Sequence, residues 1–187
     1  LSLKNATKQA YQSLQQAIKL AKEASDENIT ILGSIAPLED CYKPKLFPGK
    51  KIAEKEFELI INWLIDNDVN GIILETMNNL DETKTILNIL SHHNIPIYVS
   101  YYLIDSNTLT LNKFINKAIS LLKNYEIHAL LFNCMPINRM NEIVNNMVDN
   151  YKGLWGLYPN FGIGDPAPDG KITNTISDER FLKLIDK

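Results

Sequence analysis

The sequence predicts an α/β protein built on parallel strands, and three observations predict it. Short apolar runs rich in β-branched residues alternate with amphipathic helical stretches along the 187 residues. Those runs are continuously apolar rather than alternating with period two, the pattern expected of a parallel sheet covered on both faces. Each run then passes into hydrogen-bonding side chains.

The elements follow in order. From Asn5 to Ala24, Ala6, Ala10, Leu14, Ala17, Ile18 and Ala21 recur near helical spacing, so the chain opens with an amphipathic helix. Ile29 to Leu32, ending at Gly33, reads as a strand, and a loop through Pro37, Pro44 and Pro48 follows. Ile52 to Asn67 places Ile52, Phe57, Ile60, Ile61, Leu64 and Ile65 on one face of a helix, and Val69 to Leu74 is the next strand. Leu80 to Leu90 predicts a helix and Ile95 to Tyr101 a strand, with Pro96 tolerated at its start. Phe114 to Leu122, Ala129 to Phe132, Met140 to Met147 and Leu154 to Tyr158 complete two more helix and strand pairs. Periodicity alone does not separate a closed barrel from an open doubly wound sheet.

Composition narrows the function classes. Apolar residues make up 45% and charged residues 22%, which suits an ordinary globular domain. A net charge of −3 without a Lys/Arg stripe argues against nucleic acid and anionic membranes as partners. No apolar run approaches the roughly 18 residues that span a bilayer, and the first residues lack a signal-peptide core. A cytoplasmic protein is expected. Cys41 and Cys134 are the only cysteines and cannot make a disulfide framework.

The strand endings carry the candidate chemistry. They are Gly33-Ser34, Glu75-Thr76, Ser100-Tyr101, Asn133-Cys134 and Tyr158-Pro159-Asn160. In a parallel βα architecture, strand ends at one topological level converge on a shared site. Glu75 directly follows Ile72-Ile73-Leu74, where an unpaired carboxylate is costly, so it wants a cation: a substrate ammonium, or a neighbour such as Lys84. Cys134 is either a small buried hydrophobe or a soft thiolate ligand. Cys41 reads as loop packing. His92, His93 and His128 fall at the opposite ends of the strands and read as solvated. Gly49-Lys50-Lys51 lacks the glycine spacing of a phosphate-binding loop.

Taken in order, Gly33-Ser34-Ile35-Ala36-Pro37, Glu75-Thr76-Met77, Ser100-Tyr101, Asn133-Cys134 and Tyr158-Pro159-Asn160 resemble the motifs of the homocysteine S-methyltransferase family. The resemblance spans nearly the whole chain. It implies a (β/α)₈ barrel truncated to about five strands, with residues 1–187 forming one partial homocysteine-binding domain equivalent to barrel strands three to seven. It also implies transfer of a methyl group to the zinc-activated thiol of homocysteine, giving methionine. In that reading Cys134 is the first of three zinc cysteines, and Glu75 pairs with the homocysteine ammonium. The Ser34 segment receives the carboxylate, while Ser100, Asn133 and Asn160 line the pocket.

The family's glycine-rich first strand and its Gly-Gly-Cys-Cys segment have no counterpart here. The expectation is therefore a fragment that lacks two zinc ligands, is inactive alone, and associates with itself through unpaired sheet edges. The partners implied are homocysteine and a small methyl donor. Two further readings remain open: a non-catalytic remnant that keeps the amino-acid pocket, and an unrelated barrel lyase or aldolase using Glu75 as acid or base.

Overall fold

The computed structural model describes residues 3–26, 28–103, 111–164 and 171–185. Its elements are α1 (Leu3–Ala24), β1 (Leu32–Ile35), α2 (Lys50–Asp66), β2 (Gly71–Met77), α3 (Leu80–Leu90), β3 (Ile97–Tyr101), α4 (Leu111–Leu122), β4 (Ala129–Pro136), α5 (Met140–Asn150), β5 (Trp155–Asn160) and α6 (Asp178–Ile185). The helix periodicity of the sequence maps onto α1 to α5. All strands but β3, however, run further toward their C-termini than the apolar runs of the sequence do.

The sheet order is β1-β2-β3-β4-β5, and all four pairings are parallel. Spatial order equal to chain order means that every crossover turns the same way, and the right-handed rule then puts the connecting helices on one face. This is the winding of a barrel. A doubly wound sheet would reverse direction at a switch point.

The expectation of a sheet covered on both faces needs correction. Register aligns Ile35, Leu74, Val99 and Leu130 across the first four strands. All four are at most 1% exposed, and they form one core with Phe57, Ile61 and Leu64 of α2, Ile86, Leu87 and Leu90 of α3, Ile115 and Ile119 of α4, and Ile143 and Met147 of α5. Each fully buried Leu or Ile contributes about 1.5–3 kcal/mol. Gly33 belongs to this face because a Cβ there would lie 2.7 Å from Leu64. The opposite face carries Leu32, Ile73, Tyr98 and Leu131, all only half-buried. The continuous apolar runs arose because that second face lines the concave side of a barrel wall, which is still apolar at mid-strand.

The first strand also starts later than its β-branched run suggests. Asn70 Oδ1 accepts the Ile31 N–H at 2.8 Å, and the Asn70 N–H bonds Ile31 O, so the chain enters the sheet through a side-chain clamp. Leu32 is the first residue in register, opposite Gly71. Ser34 consequently lies inside a strand, as do Glu75, Ser100, Asn133, Cys134 and Asn160. None is a loop residue.

Candidate active site

Strand alternation and register place Ser34, Glu75, Ser100, Asn133 and Tyr158 on the concave face near its C-terminal end. The Ser34 hydroxyl donates to Glu75 Oε2 at 2.7 Å. Among the described residues no cationic side chain pairs with Glu75, and Lys84 lies on the exposed side of α3. The carboxylate therefore keeps acceptor capacity for a ligand.

Beside it runs a directed chain of hydrogen bonds. The Tyr158 hydroxyl donates to Ser100 Oγ at 2.7 Å, and the Ser100 hydroxyl donates to Asn133 Oδ1 at 2.9 Å. Asn133 Nδ2 then donates to Thr76 Oγ1 at 2.7 Å and to Cys134 Sγ at 3.2 Å. Ser100 and Asn133 are fully buried, so these bonds are what make their burial tolerable. Burial holds the Tyr158 phenol above its ordinary pKa, the bond to Ser100 acts the other way, and the charges of Glu75 and Cys134 add to the rise. Tyr158 is thus a neutral donor at the head of the chain.

Backbone geometry explains how neighbouring residues share one face. Thr76 has φ 59° and Cys134 φ 55°. Each sits at a register break, between Leu74 and Met77 in β2 and between Asn133 and Pro136 in β4. A bulge adds a residue and re-aims the side chains after it. Period-two alternation would send Glu75 and Thr76, or Asn133 and Cys134, to opposite faces. With the bulges, Glu75 reaches Ser34 while Thr76 reaches Asn133, and Asn133 touches the Cys134 sulfur. A left-handed conformation costs about 1–3 kcal/mol for a non-glycine residue, and such strain concentrates at functional sites.

The side chain of Asn160 is held by backbone groups at both ends. Its Nδ2 donates to Cys134 O at 2.9 Å and its Oδ1 accepts the Gly162 N–H at 2.7 Å. Both ends of the amide are engaged with backbone, so Asn160 braces the bulge and the turn after β5. The residues that sequence reasoning misses are Thr76 and Tyr158, the two ends of the hydrogen-bond chain. Both stand inside the quoted motifs, and register marks Tyr158 as the cross-strand partner of Asn133.

Cys41 lies half-buried in the loop between β1 and α2. Burial pushes its thiol up, and the charge of Asp40 adds to the rise. Tyr42, its neighbour, meets Tyr102 edge-on with ring centroids 4.9 Å apart. His93 and His128 instead line a 460 Å³ cleft at the N-terminal ends of β3 and β4, with Ile95, Pro96 and Tyr125.

A structural zinc ion needs four ligands and a catalytic one at least three from protein. Among the described residues no three His, Cys, Asp or Glu side chains converge to hold a metal. Cys134 alone would offer one soft donor, and this set by itself does not fit zinc.

The family model for homocysteine S-methyltransferase matches residues 2–183. Comparison with curated protein sequences finds no match. Among solved structures, the apo form of the Escherichia coli homocysteine methyltransferase MmuM is similar at TM-score 0.60 and 14% identity, covering 82% of this chain and 70% of that one. Its oxidized form gives TM-score 0.63 at 14% identity over 82% and 68%, and its metallated form 0.55 at 15% over 78% and 62%. At such identities the structures speak for the fold, and it is the sequence match across nearly all residues that carries the classification. The chain belongs to the homocysteine S-methyltransferase family.

Proposed function

We propose that the concave face binds homocysteine and that the complete site transfers a methyl group to its thiol, giving methionine. The observation that carries this reading is the Ser34–Glu75 pair, 2.7 Å apart and without a cationic partner among the described residues, on the same face as the Asn133–Cys134 sulfur contact. A carboxylate at one end and a thiol at the other suit an amino acid whose side chain ends in sulfur. Glu75 receives the ammonium. Ser34 fixes the carboxylate of Glu75 and offers its oxygen to the ligand, and the Ser100–Asn133–Thr76 chain holds Cys134 in place. In this reading Cys134 is one of three thiolates around zinc, whose chemistry is to bind and acidify the homocysteine thiol. The chain as described does not complete that set, so it binds the amino acid but does not turn it over. A cytoplasmic location and a small methyl donor belong to the same proposal.

The test is a calorimetric titration of homocysteine into the chain, with zinc analysis and an S-methylation assay on the same sample. Binding with neither zinc nor turnover is the expected result. The absence of binding would refute the reading. Stoichiometric zinc with turnover would refute its claim that this chain is catalytically incomplete.

A further inference from the structure

The side-chain amide of Asn133 is fully buried and faces two ways. On one side Oδ1 accepts the Ser100 hydroxyl at 2.9 Å; on the other, Nδ2 donates to Thr76 Oγ1 at 2.7 Å and to Cys134 Sγ at 3.2 Å. An amide turned end for end has almost the same shape, so packing does not choose between the two orientations. Nor do the immediate neighbours, because serine and threonine hydroxyls and a thiol can each give or accept a hydrogen bond. The choice comes from one residue further out. The Tyr158 hydroxyl donates to Ser100 Oγ at 2.7 Å. Because β4 separates β5 from β3, this bond spans two strand spacings, about 9.5 Å, and the Tyr158 side chain lies across β4 beside Asn133, its register partner. A phenol is a stronger donor and a weaker acceptor than an aliphatic hydroxyl, since its oxygen lone pair is delocalised into the ring. With the phenol proton on Ser100 Oγ, the Ser100 proton goes to Asn133 Oδ1, and both Nδ2 protons are left for Thr76 and Cys134.

We propose that Tyr158 is a positioning residue that sets the direction of this chain and so presents a donor, rather than an acceptor, to the Cys134 sulfur. A sulfur facing Nδ2 is favoured as an electron-pair donor, the role of a ligating thiolate, whereas one facing Oδ1 is favoured as a thiol that gives its own proton. Tyr158 acts only through Ser100 and Asn133. The Cys134 backbone is held separately, by Asn160 Nδ2 on its carbonyl at 2.9 Å, so the phenol governs the amide and not the bulge. The proposal rests on the reading of Cys134 as the sulfur of the site, and it does not require the ligand to be homocysteine.

The test is nuclear Overhauser spectroscopy on the full chain without ligand or metal, the Asn133 side-chain NH₂ being assigned through its own β-protons. In the parent, these protons should give stronger cross-peaks to the Thr76 methyl and the Cys134 β-protons than to the Ser100 β-protons. Tyr158→Phe keeps the ring but removes the donor, and the ratio of the Cys134 to the Ser100 cross-peaks should fall about fivefold, the population shift that corresponds to one neutral hydrogen bond. Replacing Tyr158 by para-fluorophenylalanine fills the place of the hydroxyl without a proton and should give the same fall, which keeps the test open where Tyr158→Phe does not fold. A parent whose amide faces Ser100, or variants that hold the parental ratio, would overturn the proposal. Loss of the contact between Asn160 and the Cys134 carbonyl in the variants would assign Tyr158 to the bulge instead, and would overturn it too. No readout involves homocysteine, so failure here and failure of the proposed function are separable.

Discussion

The two ends of the sheet follow different rules. At the N-terminal end, register is regular, His93 and His128 line a cleft, and the positive φ of Asp68, 55°, lies just past the end of α2. A helix terminus is where such a conformation is ordinary and where aspartate tolerates it. At the C-terminal end, the same conformation occurs inside strands, at a β-branched threonine and a cysteine. Two fully buried polar side chains, Ser100 and Asn133, stand there too, at the centre of a hydrogen-bond chain from Tyr158 to Cys134. The difference teaches that this fold keeps one end for stability and concentrates strain and buried polarity at the other, the division expected of a βα barrel wall.

The largest effect should come from the centre of the polar chain. Asn133→Leu leaves the fully buried Ser100 hydroxyl without its acceptor and the half-buried Thr76 without its donor, and should cost about 3 kcal/mol in urea unfolding. A cost under about 0.5 kcal/mol would mean that the network is not a stability element. Next, Glu75→Gln should leave unfolding unchanged but weaken homocysteine binding about tenfold or more, as loss of a charge-assisted contact does. Calorimetry reads this directly, and unchanged affinity would remove Glu75 from the site.

A smaller effect depends on pH. Burial holds the Glu82 carboxyl above the usual 4.5, the Leu38 N–H pulls it back in part, and Glu39 adds to the rise. The folded state thus binds this proton more tightly than the unfolded chain. Its contribution to stability is present below 4.5 and is lost as pH rises through the folded value. Melting temperatures of Glu82→Gln relative to the parent should therefore climb as pH rises above 4.5; a gap that narrows would contradict the burial argument. The smallest effect lies at the other end: His128→Ala should change stability by no more than about 0.5 kcal/mol and leave homocysteine binding unaltered.

Much of this comparison was legible in the sequence. The apolar periods located five helices and five strands, and the ordered motifs placed Ser34, Glu75, Ser100, Asn133 and Cys134 at one end of the sheet. The bulges were not legible, because a left-handed residue announces itself only when it is glycine or asparagine, and Thr76 and Cys134 are neither. Without the bulges, Thr76 falls on the wrong face. The role of Asn160 depended on which backbone groups the β4 bulge left open. The anchoring of the loop after β1 was hidden for another reason: its bonds at Leu38 and Pro44 come from Glu82 and Asn79, 35 or more residues downstream, whose spacing reads as nothing more than a helix start.

The most direct test of the site is a double-mutant cycle across the ligand. Homocysteine and its analogue lacking the amino group are titrated into the parent chain and into Glu75→Gln. If Glu75 reads the ammonium, removing either group weakens binding, and removing the second after the first costs little more. Additive losses, or no binding of homocysteine by the parent, would contradict an amino-acid site at the C-terminal end of this sheet.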